Sequence, residues 1–276
     1  MRFLAPAKIN LFLRILSKSN NNYHNLQSIF HMVDLYDEIS IKPRSDRKII
    51  VENDDESISK ESDLCLRAAQ LILDGRKLGV TIKVKKNIPV GAGLGGGSSD
   101  AATILLALNQ IFSLGVNKKT LMVQGLKLGA DIPFFINGEN AWVEGVGDKI
   151  SPILIENYSY IFVIPSISIS TASIFQDFKL TNKLIPLKIA TSFSNIEHDN
   201  IGNDLVETIF EKHPRLRELF IWLKEFGDPK ISGTGSTLFI KSNDLNLTRL
   251  IEKHKPKDTR IISVKGLSVH PHFLTD

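Results

Sequence analysis

Residues 3–16, FLAPAKINLFLRIL, alternate in a way that predicts a long opening strand. Ala5, Ala7, Ile9, Leu11, Leu13 and Ile15 fall on one face, and Lys8, Asn10 and Arg14 share the other with Leu4, Phe12 and Leu16. Lys8 and Asn10 therefore point the same way. A half-solvated strand face would suit them, and so would a site, because an ammonium among apolar neighbours is costly unless it meets an anion. Further strands are predicted over 33–41 and 48–51, with a charged segment, 53–63, before a helix over 64–73. Leu66, Ala69, Ile72 and Leu73 form that helix's apolar side, and Asp63 stands where an N-cap would. Alternation in VTIKV predicts a strand over 80–84, followed by a glycine-rich stretch and an apolar helical run from 101 to about 112. A helix over 118–128 should close at Gly129.

Beyond these come a glycine-rich turn over 142–148 and a buried strand, IFVIP, within 158–170. A helix is opened by Asn203, Asp204 and Leu205, with Asn203 or Asp204 as its cap, and another covers 216–226. PKISGTGSTLFI, 229–240, reads as a glycine turn leading into a strand, and a helix over 245–253 and a strand over 260–264 complete the chain. The pattern divides near residue 155 into two halves, 1–155 and 156–276, with no Pro/Gly linker between them.

The stretch PVGAGLGGGSSDAA, 89–102, organises the rest, with five glycines among its fourteen residues. Strand, glycine loop and helix in that order suit an anion. A helix N-terminus presents amides without intrahelical partners and a partial positive charge. Glycines let the backbone curl and let a phosphate approach without Cβ obstruction. Ser98 or Ser99 is placed to cap the helix or to offer a hydroxyl to a phosphate or a magnesium ion.

Walker chemistry is excluded, because Ser98 stands where its lysine belongs. Gly91, Gly93 and Gly96 spell GxGxxG, but the first carboxylate after Asp100 is Asp131, too far on to meet a ribose. Neither HRD nor DFG occurs, which excludes a protein kinase.

Composition narrows the setting. The 276 residues suffice for one large or two ordinary domains, and 42% hydrophobic with 23% charged residues is the balance of a globular protein without membrane spans. A net charge of +4 without a dense Lys/Arg cluster argues against nucleic acid but suits polyanionic substrates. Cys65 is the lone cysteine, so no internal disulfide forms and a reducing cytoplasm is expected. Arg2, Pro6, Lys8 and Asn10 interrupt any signal-peptide core. The seven histidines are scattered without metal spacing, and His270 and His272 read as part of a solvated tail.

PVGAGLGGGSSDAA resembles the second motif of the GHMP kinases, PAKINLFL resembles the first, and Gly233, Thr234, Gly235 and Ser236 resemble the third. YHNLQS, GADIPFF, Phe175 and the NDL triplet at 203–205 are similar to the diphosphocytidyl-methylerythritol kinases in particular, with Asn22 where that family usually has glycine. The resemblance implies an α+β fold of two domains with the active site in the cleft between them. It implies ATP-dependent phosphorylation of a small-molecule alcohol, the 2-hydroxyl of a cytidine diphosphate-bearing methylerythritol, in isoprenoid precursor synthesis.

Asp131, a turn former on sequence alone, becomes the base that accepts the hydroxyl proton, with Lys8 to pair with it and offset charge developing in transfer. ATP would be held by Lys86, Pro89, Gly91, Gly93, Leu94, Gly95, Gly96, Gly97, Ser98 and Ser99, its magnesium carried in with it. The substrate would meet Asn10, Tyr23, His24, Phe175, Gly233, Thr234 and Gly235, with Tyr23 and Phe175 sandwiching cytosine. Asp63 stands where the family commonly places an adenine-contacting Asn. The alternatives are a homoserine or mevalonate type of kinase on the same fold, and a silent ligand-binding homologue. The oligomeric state is left open.

Overall fold

The computed structural model describes residues 1–18, 24–54, 63–156, 158–180, 186–195 and 202–274. Asn22 and Tyr23 lie outside the described residues. Strand β1, Arg2–Lys18, runs antiparallel to the 21-residue β2, His24–Arg44, with register shifts after Pro6, Asn10 and Ile15. β2 begins well before the expected residue 33. It pairs with β1, β4 (Gly79–Lys85) and β5 (Ala141–Gly145), so Gln27, Ser28 and His31 are buried among apolar residues and the period-two signal is lost. β3, Ile49–Asn53, adds in parallel to β4. β5 is a strand where only a turn was expected. The turn is confined to the few residues between it and β6, Lys149–Pro152, where Gly145 and Gly147 take positive φ.

Helices α1 (Leu64–Leu73), α2 (Gly96–Ile111), α3 (Lys118–Leu126) and α4 (Ile132–Asn137) belong to this half. Asp63 caps α1 as expected, its carboxylate accepting the Cys65 amide at 2.8 Å. α2 starts five residues before its apolar run, at Gly96, and its cap is Gly95 in the left-handed region, so neither Ser98 nor Ser99 caps it. α3 ends two residues early, because Lys127 rather than Gly129 terminates it. Buried faces of α1, α2 and α4 pack with Ile39, Ile41, Val80 and Ile82 in one core.

The second half is built on β7, Ser159–Pro165, whose alternation divides two further cores. Tyr160, Phe162 and Ile164 face Ile9, Val33 and Trp142, while Ile161 and Val163 face the helices α5 (Thr171–Asp177), α6 (Val206–Lys212) and α7 (Pro214–Leu223). β9, Leu238–Lys241, and the short β8, Lys230–Ile231, extend this sheet, and α8, Leu245–His254, leads to β10, Thr259–Leu267. Leu205, not Asn203 or Asp204, precedes α6 as its cap. Asp204 instead accepts the Ile15 amide at 2.7 Å, and Asn203 donates to the carbonyls of Ile231 and Gly233.

β10 pairs with β7 along its length and with Val33 and Met32 of β2 at its end, giving one continuous path β3-β4-β2-β10-β7-β9-β8. The chain then folds back on α2. His270 is wholly buried against Thr103, not part of a solvated tail, because its ring nitrogens meet Thr103 Oγ1 at 3.3 Å and the His272 amide at 3.1 Å. No helix among the described residues is long and apolar enough to cross a membrane.

Candidate active site

A cleft of about 470 Å³ opens between the two halves of the sheet, lined from one side by β1, the glycine loop and α4 and from the other by α5 and the 233–234 turn. Its floor is the loop leading into α2. Lys8 donates its backbone amide to Leu94 O at 2.9 Å, which lays the loop along β1. Gly95 has φ +71°, and a Cβ there would lie 3.1 Å from Lys8 Cγ and 3.2 Å from Phe135, so this close approach requires glycine.

The third motif braces the loop from the far side. Ser232 Oγ donates to Gly93 O at 2.8 Å, and the amides of Thr237 and Ile169 donate to Ala92 O and Gly91 O. The amides of Gly96, Gly97 and Ser98, first in α2, have no intrahelical acceptors and face the cleft at the positive end of a four-turn helix.

Lys8 stands above that helix start. Its side chain is buried, its Nζ lies 2.6 Å from Asn10 Oδ1 and 3.3 Å from Asp131 Oδ2, and it sits 4.4 Å over the Phe30 ring. Alternation along β1 placed Lys8 and Asn10 together, and Asn10 is fixed in turn by donating to Ser28 Oγ at 2.8 Å. Asp131 occupies the residue before α4, with Pro133 in that helix's first turn, and its side chain retains 28% exposure to the cleft. A half-open carboxylate paired with a buried ammonium, beside unpaired helix amides, can receive a proton while an anion is held close by.

Of the predicted site residues, Lys8, Asn10, Lys86, Pro89, Gly91, Gly93, Leu94, Gly95, Gly96, Gly97, Ser98, Asp131, Phe175, Gly233 and Thr234 all line this cleft. Two expectations need correction, and a third residue has a further tie. Ser99 is wholly buried behind the helix and its amide donates to Gly95 O, so neither group is free for a phosphate. Gly235 lies behind the loop against Gly93 rather than on the cleft wall. Lys86 reaches the cleft but its ammonium is held by the carboxylates of Asp37 and Asp100.

His24 is buried behind Phe175, ring centroids 5.3 Å apart, with Phe178 edge-on at 6.1 Å. Burial, and then the charge of Lys18, lower its pKa. Phe175 faces the cleft from α5, and Thr171 of the same helix meets Thr234 at 3.1 Å. Tyr23 lies outside the described residues.

Sequence reasoning missed Asp37, Ser232 and Thr171. Asp37 carried a signal, since it shares a strand face with Ile39 and Ile41 and is the one charge on that core-facing row. Burial raises the Asp100 pKa far above the usual carboxylate range despite the opposing pull of Lys86. Burial alone would lower the pKa of Lys86, but Asp100 and Asp37 more than reverse this. Among the described residues no group of three or more His, Cys, Asp or Glu is placed to hold a metal ion.

Comparison with known proteins places the chain in a family. Residues 63–139 match the family described as GHMP kinases N terminal domain. The 4-diphosphocytidyl-2-C-methyl-D-erythritol kinase of Acinetobacter baylyi is 38% identical over 282 residues, covering 100% of this chain and 99% of its own length. That of Neisseria meningitidis serogroup A is 39% identical, covering 98% of this chain and 95% of its own. A crystal structure of 4-(cytidine 5'-diphospho)-2C-methyl-D-erythritol kinase superposes with a TM-score of 0.81 at 28% identity, over 96% of this chain and 99% of that one. The mevalonate kinase of Methanococcus jannaschii, at 17% identity and a TM-score of 0.71 over 97% and 98% of the two chains, shares the fold. With full-length relatives at this identity, the chain belongs to the 4-diphosphocytidyl-2-C-methyl-D-erythritol kinases, a branch of the GHMP kinases with their α+β fold.

Proposed function

We propose that this kinase transfers the γ-phosphoryl group of ATP to the 2-hydroxyl of 4-diphosphocytidyl-2-C-methyl-D-erythritol, within isoprenoid precursor synthesis. The observation that carries the reading is the Lys8–Asp131 pair, 3.3 Å apart at the start of α2. The polyphosphate lies along the glycine loop, its negative charge met by the amides of Gly96, Gly97 and Ser98. Asp131 takes the proton of the substrate hydroxyl as that oxygen bonds to the γ-phosphorus and the bond to the ADP oxygen breaks. Lys8 lies where it offsets charge developing on the transferred group. A magnesium ion carried with ATP would supply further neutralisation when bound, and Ser98, which borders the cleft at the helix start, would offer it a hydroxyl.

The halves 1–155 and 156–276 contribute opposite walls, ATP-binding from the first and substrate-selecting from the second. Phe175 presents a ring face for the cytosine, His24 backs it, and Tyr23 is assigned to the same base. Asn10, Gly233 and Thr234 border the acceptor end. A free, buried Cys65 suits a reducing cytoplasm. Neighbours of the mevalonate and homoserine kinase type, at 17% and 14% identity, support the fold and not their substrates for this chain.

Steady-state kinetics of Asp131→Asn test the chemistry. Turnover should fall by about 10² to 10⁴ while ATP binding stays within a few-fold, and wild-type turnover in that variant refutes the role of Asp131. Tyr23→Ala should raise KM for the cytidylyl substrate and leave that for ATP unchanged.

A further inference from the structure

The phosphate loop is pinched at its base. Gly96, opening α2, approaches Ile88 so closely that a Cβ on it would lie 2.9 Å from Ile88 Cγ2. Beneath the pinch lies an ionic cluster that neither the chemistry nor the substrate contacts account for. Asp37, wholly buried on β2, accepts the backbone amides of Asn87 and Ile88 at 2.6 and 2.8 Å with one oxygen and holds Lys86 Nζ with the other. Asn87 is fixed further by donating its side-chain amide to Tyr36 O at 2.9 Å. Lys86 Nζ also contacts Asp100 Oδ2 at 2.5 Å, and Asp100 is the fifth residue of α2.

We propose that Lys86 is a positioning residue for phosphoryl transfer: its ammonium ties the strand entering the loop to the helix leaving it and so aims the α2 amides at the polyphosphate.

The geometry separates this from a contact with the nucleotide base. Lys86 Nζ already bridges two carboxylates, so although the residue borders the cleft its ammonium is committed to Asp37 and Asp100. Asp37 is doubly anchored by backbone, so the bond that must transmit position to α2 is the one through Lys86 to Asp100. Removing the ammonium leaves two buried carboxylates facing one another, which either protonate or part, and the pinch loosens. A loop displaced by a fraction of an ångström no longer presents its amides at hydrogen-bonding distance.

The inference rests on the glycine loop being the polyphosphate cradle, and the test keeps the two apart. Dissociation constants for ATP, ADP and inorganic tripolyphosphate are measured on the full chain by titration calorimetry. Failure of the wild type to bind tripolyphosphate overturns the cradle itself. Given that binding, Lys86→Met is expected to weaken all three ligands by one common factor, on the order of 10-fold. KM for ATP should rise by that factor with a smaller change in kcat, and Lys86→Arg, which retains both ties, should recover most of the loss.

The double variant Lys86→Met/Asp100→Asn leaves no unpaired carboxylate beyond the backbone-held Asp37, so it keeps the fold where the single variant unfolds, and it should show the same common loss. Weakened ATP with unchanged tripolyphosphate marks Lys86 as a base contact and overturns the proposal. Unchanged affinity for all three in a folded variant overturns it equally.

Discussion

Acidifying the protein from about pH 7.5 to about pH 5 should cost its fold about 2 kcal/mol through His270 alone. The ring is wholly buried between the chain end and α2. Nδ1 accepts the His272 amide, which leaves Nε2 to carry the proton donated to Thr103 Oγ1, so the neutral form already satisfies both partners. Burial, and then His272, lower the pKa from 6.5 to about 3. Between these values the unfolded chain binds a proton that the folded chain does not. The stabilisation is therefore fully present above pH 6.5 and lost as pH falls towards 3.

At pH 5 the shortfall is roughly 1.5 pH units at 1.36 kcal/mol each, and it changes little for any folded value below about 4. His31, lowered to about 4 chiefly by burial, acts in the same direction, whereas the raised Asp100 favours the folded state as pH falls. A difference between variants is therefore the informative measurement. In urea unfolding at the two pH values, His270→Gln should begin less stable than wild type but lose about 2 kcal/mol less on acidification. Equal losses in the two proteins refute the reasoning.

Other substitutions separate neighbouring roles. Gly93→Ala would place a Cβ 2.1 Å from Ser232 O and 2.9 Å from Gly235 O at φ +74°, so about 2 kcal/mol or more of stability and most ATP affinity should go. Gly75→Ala, at φ +68° with nothing within 4 Å, should cost only about 1 kcal/mol in the same denaturation assay. Ser99→Ala should leave kcat and KM unchanged and hold or raise the melting temperature, since the hydroxyl it removes is buried without a partner. Ser98→Ala, changed on the cleft side, should raise KM for magnesium-ATP. Lys8→Met should lower kcat by about 10² to 10³, read in the steady state with magnesium-ATP saturating.

The elements that carry their signal in one short run were legible. Alternation in β1 placed Lys8 beside Asn10, and the glycines announced the loop. Asp63 announced the cap of α1. Features set by tertiary pairing were not legible. β2 has partners on both edges and cores on both faces, so its buried Gln27, Ser28 and His31 broke the pattern that would have extended it. The start of α2 was hidden because Gly95 caps it and Gly96 and Gly97 begin it, residues with poor helical propensity whose lack of a Cβ lets the loop close on Lys8 and Ile88. Asn203 and Asp204 read as caps from their residue type, yet β1 and the 233 turn claimed their side chains. Whether Ser98 or Ser99 faced the cleft depended on the helix phase, which the glycine start determines.

The placement of β10 orders events during synthesis. Asn140, in the first half, is completed by Leu267 O at 2.8 Å, and Met32 and Val33 pair with Leu267 and Gly266. A ribosome that has released only the first half therefore leaves a bare strand edge beside an unfilled amide, open to chaperones and to other nascent chains. The nucleotide loop gains its final support only when the last few dozen residues emerge, so a chain stalled shortly before its end carries every motif of the enzyme without a finished sheet to hold them.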